Sequence, residues 1–181
     1  MKPKPSCSSK SHFLPSAILA SFLILFSPLS IAFAQEKIAV ISKFSGEVKV
    51  IHEGKELVVE RIGNRIKNSS VYSNDTVLTI PRANANLVFL DNSRLEVKEN
   101  TTMTVVRGQV TDKASHKQIL RNIKLDAGNL WAHITSSKSV LTKFETPSGT
   151  AYAIGTDVGV GFDPATCVAI IELGEGLVYF V

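Results

Sequence analysis

Apolar and polar residues alternate with a period of two along most of this chain. In Gly46-Glu47-Val48-Lys49-Val50 the two valines fall on one face and the two charges on the other. Arg94-Leu95-Glu96-Val97-Lys98 repeats the logic, with Leu95 and Val97 inward. Gly128-Asn129-Leu130-Trp131-Ala132-His133-Ile134 does so a third time, and the pattern predicts that His133 points away from the core. Gly176-Leu177-Val178-Tyr179-Phe180-Val181 is a fourth case. Two continuous apolar pieces, Leu87-Val88-Phe89-Leu90 and Val168-Ala169-Ile170-Ile171, read as strands buried on both faces. No amphipathic helical pattern interrupts the series.

Turn-forming residues fall between these pieces, at His52-Glu53-Gly54-Lys55, Asp91-Asn92-Ser93, Thr146-Pro147-Ser148-Gly149 and Gly174-Glu175-Gly176. The expectation is an all-β domain of about a dozen short strands, arranged as a sandwich or a wound, β-helix-like two-layer sheet. The recurring Gly-x-apolar-x-apolar unit hints at stacked strand pairs. One segment breaks the pattern: Thr111 to Gln118 is polar and runs on into Arg121 and Lys124. It reads as a long basic hairpin loop. Lys113, Lys117, Arg121 and Lys124 are its possible contacts with an acidic partner, although a charge run of this size is usually a solvated surface.

The start of the chain follows different rules. Lys2, Lys4 and Lys10 precede the apolar run from Ala17 to Phe26, which is followed by Pro28 and then Ala32-Phe33-Ala34. A positive start, a short apolar middle and a small-x-small ending describe a secretory signal peptide over residues 1–34. Cleavage between Ala34 and Gln35 is expected, leaving 35–181 as the mature β domain. A retained anchor is the rival, but the run is about half the roughly 20 residues that a spanning helix needs. No stable membrane span is therefore expected in the mature form.

This division changes the meaning of the charge. The whole chain of 181 residues carries +4, from 20 basic and 16 acidic residues, and three of those basic residues lie in the leader, which has no acids. The mature part is nearly neutral, so nucleic acid is not expected as a partner. Of the two cysteines, only Cys167 remains after cleavage, so the domain folds without an intrachain disulfide. Cys167 sits in a strand-like apolar run and reads as a small buried hydrophobe rather than a reactive thiol.

An active site needs a constellation, and none is legible. There is no Gly-x-Ser-x-Gly elbow and no phosphate loop. The glycine-rich Gly155-Thr156-Asp157-Val158-Gly159-Val160-Gly161 sits among strand residues with no helix to follow it. His52, His116 and His133 lie far apart and lack metal-ligand spacing. Paired-carboxylate chemistry would require Asp75, Asp91, Asp126, Asp157 or Asp163 to converge in space. No enzyme activity, metal or cofactor is expected.

The order of segments resembles the FecR-type domain, a bacterial periplasmic β-domain. The similarity is strongest over Thr146-Pro147-Ser148-Gly149-Thr150-Ala151-Tyr152-Ala153-Ile154-Gly155-Thr156, followed by alternating apolar residues, and over Leu173-Gly174-Glu175-Gly176-Leu177-Val178. Ser73-Asn74-Asp75 and Phe89-Leu90-Asp91-Asn92-Ser93 look like two further family turns, with Asn74 and Asn92 where the family has glycine. Asn tolerates the same positive-φ conformation, so the turns are expected to survive. Ile154 stands where the family often has Arg. The resemblance implies structural roles for Thr146, Pro147, Gly155, Thr156, Gly174 and Gly176: close backbone approach by the glycines and turn hydrogen bonding by the threonine.

What the resemblance implies for function is a non-catalytic module of the bacterial cell envelope, periplasmic or secreted, acting as a protein-binding accessory in signalling or assembly. The anti-sigma role of full regulators is not expected here, because a signal peptide stands where their cytosolic segment would be. The alternative is a carbohydrate- or cell-wall-binding module, with Trp131, Tyr152 and Tyr179 as the aromatics able to stack on a sugar, against their usual packing role.

Overall fold

In the computed structural model of the chain, residues 35–111 and 117–180 are described, and they contain strands and turns but no helix. Fourteen strands follow one another: β1 (Lys37–Ser45), β2 (Val48–His52), β3 (Lys55–Val58), β4 (Glu60–Ile62), β5 (Arg65–Lys67), β6 (Ser70–Tyr72), β7 (Asp75–Thr79), β8 (Asn84–Phe89), β9 (Arg94–Val97), β10 (Thr101–Thr111), β11 (Lys117–His133), β12 (Val140–Thr146), β13 (Gly149–Asp163) and β14 (Val168–Phe180). The domain is all-β, as the alternation predicts. Several strands are longer than expected, reaching 17 residues in β11.

Length is what lets one sheet curl on itself. The first half of β11 pairs antiparallel with β10 and parallel with β12. Its second half leaves both and pairs with β9 and β13. One strand thus joins the order β3-β2-β7-β10-β11-β9-β8-β1-β6 to the β12-β13-β14 flap, while β4 and β5 form a separate hairpin. The inward residues of the alternating segments fill the core: Val48, Val50, Leu95, Val97, Leu130 and Ala132 are all buried, and so are Phe144, Val158 and Val160. Burying each large apolar side chain contributes about 1.5–3 kcal/mol.

The turns behave as their side chains require. Asn74 and Asn92 adopt φ of 71° and 63°, so asparagine does take the left-handed positions where the resemblance would have glycine. Thr146 and Gly149 face each other across the Pro147-Ser148 turn, where the Ser148 amide donates to Thr146 Oγ1 at 3.3 Å. Pro147 fixes its own φ for this turn.

Three expectations are overturned. Gly174-Glu175-Gly176 is not a turn between strands; it lies inside β14. There the register against β13 slips between Ile154 and Val158, so a backbone bulge satisfies the local geometry without reversing the chain. Val168 to Ile171 is not buried on both faces: Ala169 and Ile171 pack on the core, whereas Val168 and Ile170 are exposed, because β14 lies at the rim of the sheet and, among the described residues, pairs with β13 alone. In the companion run, Leu87 and Phe89 are buried and Leu90 is exposed. Cys167 is exposed, at φ 55° in the turn before β14, because the chain reverses there rather than entering the core.

Candidate interaction surface

The family-motif residues converge on the paired β13 and β14. Gly155 and Gly176 have φ of 56° and 105° and face each other across the bulge. A Cβ on Gly176 would lie 2.6 Å from the Gly155 carbonyl oxygen, closer than any real contact allows. Buried Thr156 then donates its hydroxyl to the Glu175 carbonyl, tying β13 to β14 at the bulge. Gly174 lies beside Asp157 and Trp131. Thr146 and Pro147 hold the β12–β13 turn at the other end of β13. These six residues shape the flap.

The basic segment is not one surface. Lys113 lies outside the described residues. Lys117 and Lys124 are exposed on β11. Arg121 corrects the loop reading: it is 6% exposed and faces inward from a paired strand. Its guanidinium donates to both Asp91 carboxylate oxygens at 2.9 and 3.1 Å, to Ser93 Oγ at 3.0 Å, and to Thr142 Oγ1 from Nε and NH2 at 3.2 and 2.7 Å. Its carbon lies 4.3 Å from the centre of the Phe89 ring. These contacts tie the guanidinium to partners within the domain, so it is committed to the fold rather than presented to solvent. The Asp91-Asn92-Ser93 turn supplies this cluster, and no local pattern around Arg121 reveals that a distant turn waits for its charge. Burial raises the Asp91 carboxyl, but the Arg121 charge and the bonds from Arg121 and Ser93 outweigh it and hold the group below its ordinary value. Next to the cluster opens an apolar groove of about 290 Å³ lined by Ile38, Phe89, Leu90, Ile119 and Val140.

The candidate carboxylates do not converge. Asp75 meets His52 Nδ1 at 2.7 Å, Asp91 meets Arg121, and Asp157 meets His133, at three different places. Asp163 caps its own turn by accepting from Ala165 N and Thr166 Oγ1. Among the described residues no three potential metal ligands cluster.

What remains available for contact is β14 and the face beside it. Among the described residues β14 pairs with β13 alone, so one edge of a 13-residue strand is unpaired. Ile154, Val168, Ile170, Leu177 and Tyr179 expose their apolar side chains around that edge. Glu172 and Glu175 are the charged residues of β14, which contains no Lys, Arg or Pro. Natural edges are usually blunted by lysine or proline, and this one has only its glutamates and its glycine bulge. The model of the FecR protein family matches residues 75–178, which run from the first residue of β7 into β14. The chain belongs to the FecR protein family. The match takes in Thr146, Pro147, Gly155, Thr156, Gly174 and Gly176 but begins after Ser73 and Asn74 of the first family-like turn. Comparison with curated proteins and with solved structures found no match. Among the described residues no helix is long and apolar enough to cross a membrane.

Proposed function

We propose that this FecR protein is an exported, non-catalytic module of the bacterial envelope that binds a partner protein by adding one of its strands to β14. Removal of the leader after Ala34 would release the domain from Gln35 into the periplasm or beyond. Family membership supports the envelope-signalling setting. The observation that carries the binding mode is the unpaired, mostly apolar edge of β14. Strand addition draws its affinity from main-chain hydrogen bonds and its specificity from alternate side chains. The occupant that fits is an extended segment with apolar residues on alternate positions and a lysine or arginine opposite Glu172 or Glu175, since like charges across a strand pair are unfavourable.

The test combines site-specific photocrosslinking at Ile170 and Tyr179 in the native host with hydrogen exchange on the recovered complex. Crosslinks to one envelope protein, with β14 amides newly protected in that complex, are expected. An Ile170→Lys variant should lose the crosslink from position 179 and keep its thermal stability. Crosslinks only to a second copy of this chain, or none at all, would overturn the reading.

A further inference from the structure

The outer face of the sheet carries an arrangement that the edge of β14 does not explain. Register pairs run from Lys43 to Asn86, Asn86 to Glu96, Glu96 to Trp131, Trp131 to Gly159 and Gly159 to Glu172. Six positions on β1, β8, β9, β11, β13 and β14 therefore stand in one row across the strands. With neighbouring strands about 4.8 Å apart, the row spans about 24 Å. A second row beside it runs Arg94, His133, Asp157 and Glu175.

Trp131 is the aromatic centre of the first row. A Cβ on Gly159 would lie 2.8 Å from both Cε3 and Cζ3 of its ring, and a Cβ on Gly174 would lie 3.3 Å from Cζ2. The indole thus rests on two glycines of adjacent strands, yet 36% of the residue stays exposed. Beside it lies a groove of about 500 Å³ whose lining includes Ser42, Asn86, Arg94, Glu96 and His133. Glu96 is held by Lys98 at 2.6 Å and His133 by Asp157, so both side chains are oriented.

We propose that this face binds an oligosaccharide, with one sugar ring stacked on Trp131 and neighbouring hydroxyls bonded to Glu96, Asn86 and His133. A pyranose has an apolar face of C–H groups and a rim of hydroxyls that both donate and accept. A seated indole flanked by carboxylate, amide and imidazole groups matches both features. Lys43, Arg94 and Lys98 offset the carboxylates of Glu96, Asp157, Glu172 and Glu175, so the face carries mixed charge and suits a neutral, hydroxyl-rich ligand. An extended peptide would have no backbone to pair with here, since the row crosses the middle of the sheet. Seating an aromatic over a cross-strand glycine also stabilises a sheet by itself. That effect accounts for the ring on Gly159 but gives no reason for the polar groups ranked beside it. The proposal concerns a face rather than the edge, so it does not rest on strand addition.

The chain contains a single tryptophan, so intrinsic fluorescence reports this site alone. The full chain is titrated with chitotetraose and with cellotetraose, and co-sedimented with purified peptidoglycan sacculi. A saturable change in Trp131 emission is expected with at least one of the two sugars. Response to chitotetraose together with sacculi would point to N-acetylated amino sugars, and response to cellotetraose alone to a neutral glucan. Glu96→Gln and Asn86→Ala, both at partly exposed positions, should each weaken binding about tenfold while the melting temperature holds. Trp131→Phe, followed by calorimetry and checked for an intact melt, should abolish it. No response to either sugar with no sedimentation on sacculi, or a response that persists unchanged in Glu96→Gln, would overturn the proposal. So would an emission change with a basic extended peptide and none with sugar.

Discussion

At the scale of single residues, the Arg121–Asp91 pair is where most depends on one contact. Arg121 is buried among Phe89, Ser93 and Thr142, and its charge is balanced by Asp91. Removing one partner of a buried pair leaves the other uncompensated, so Asp91→Ala should lower the unfolding free energy by about 3 kcal/mol in urea titrations. Replacing Asp91 and Arg121 together by leucines should cost clearly less than the two single changes added, and equality with that sum would refute the coupling. The pH dependence has a definite sign. Because the folded-state value of Asp91 lies below its ordinary 3.8, its contribution is complete above that value and is lost as pH falls through the depressed folded value. Wild type should therefore lose stability on acidification below about pH 4 more steeply than Asp91→Asn. Gly176 is the backbone counterpart. At φ 105°, with the Gly155 carbonyl 2.6 Å from where a Cβ would sit, Gly176→Ala should cost about 2 kcal/mol, read from the shift in denaturation midpoint.

Among the elements, β14 is the strand whose character the sequence described least well. Its apolar composition is that of a buried strand, and composition cannot tell a strand covered on both sides from one at the rim. The difference lies in what pairs with it, which is set by strands far away along the chain. Cys167 was misplaced for the same reason: the residues after it suggest a strand that begins earlier, whereas Asp163 caps a turn that runs through Cys167. In the folded protein this thiol should react with a maleimide at close to the rate of a small-molecule thiol. Labelling that required denaturant would show Cys167 to be covered. By contrast, strands with strict alternation were legible to the residue. Val48 and Val50, Leu95 and Val97, and Leu130 and Ala132 all face inward, and His133 is exposed as expected. One buried face is enough to set the register there, because a one-residue slip would expose every valine and leucine. The site residues divide along the same line. Thr146, Pro147 and the glycines stood out through the family resemblance, while the partner of Arg121 and the row through Trp131 arise only once distant strands lie side by side.

For the whole domain, the family match and the folding unit have different boundaries. The matched segment begins at Asp75, yet β1 pairs with β8 and β2 pairs with β7 across that boundary. The segment from 35 to 74 also carries Ile38, Ile41, Val48, Val50, Val59 and Val71, all buried in the common core. At about 2 kcal/mol for each such side chain, their removal forfeits on the order of 10 kcal/mol. That loss is comparable to the entire stability of an ordinary domain, about 5–15 kcal/mol. The facing side chains Val77, Leu87 and Phe89 would meet water as well, and β7 and β8 would each gain an unpaired edge. A protein spanning 75–181 should therefore lack a cooperative thermal transition and self-associate, whereas one spanning 35–181 should melt in a single step. Reductant should leave that melt unchanged, since Cys167 is its only cysteine and no intrachain bond can form. Circular dichroism melts of the two lengths, with sedimentation to report association, provide the check. A cooperative, monomeric melt from 75–181 would mean that the first six strands decorate an independent β7–β14 unit rather than complete it.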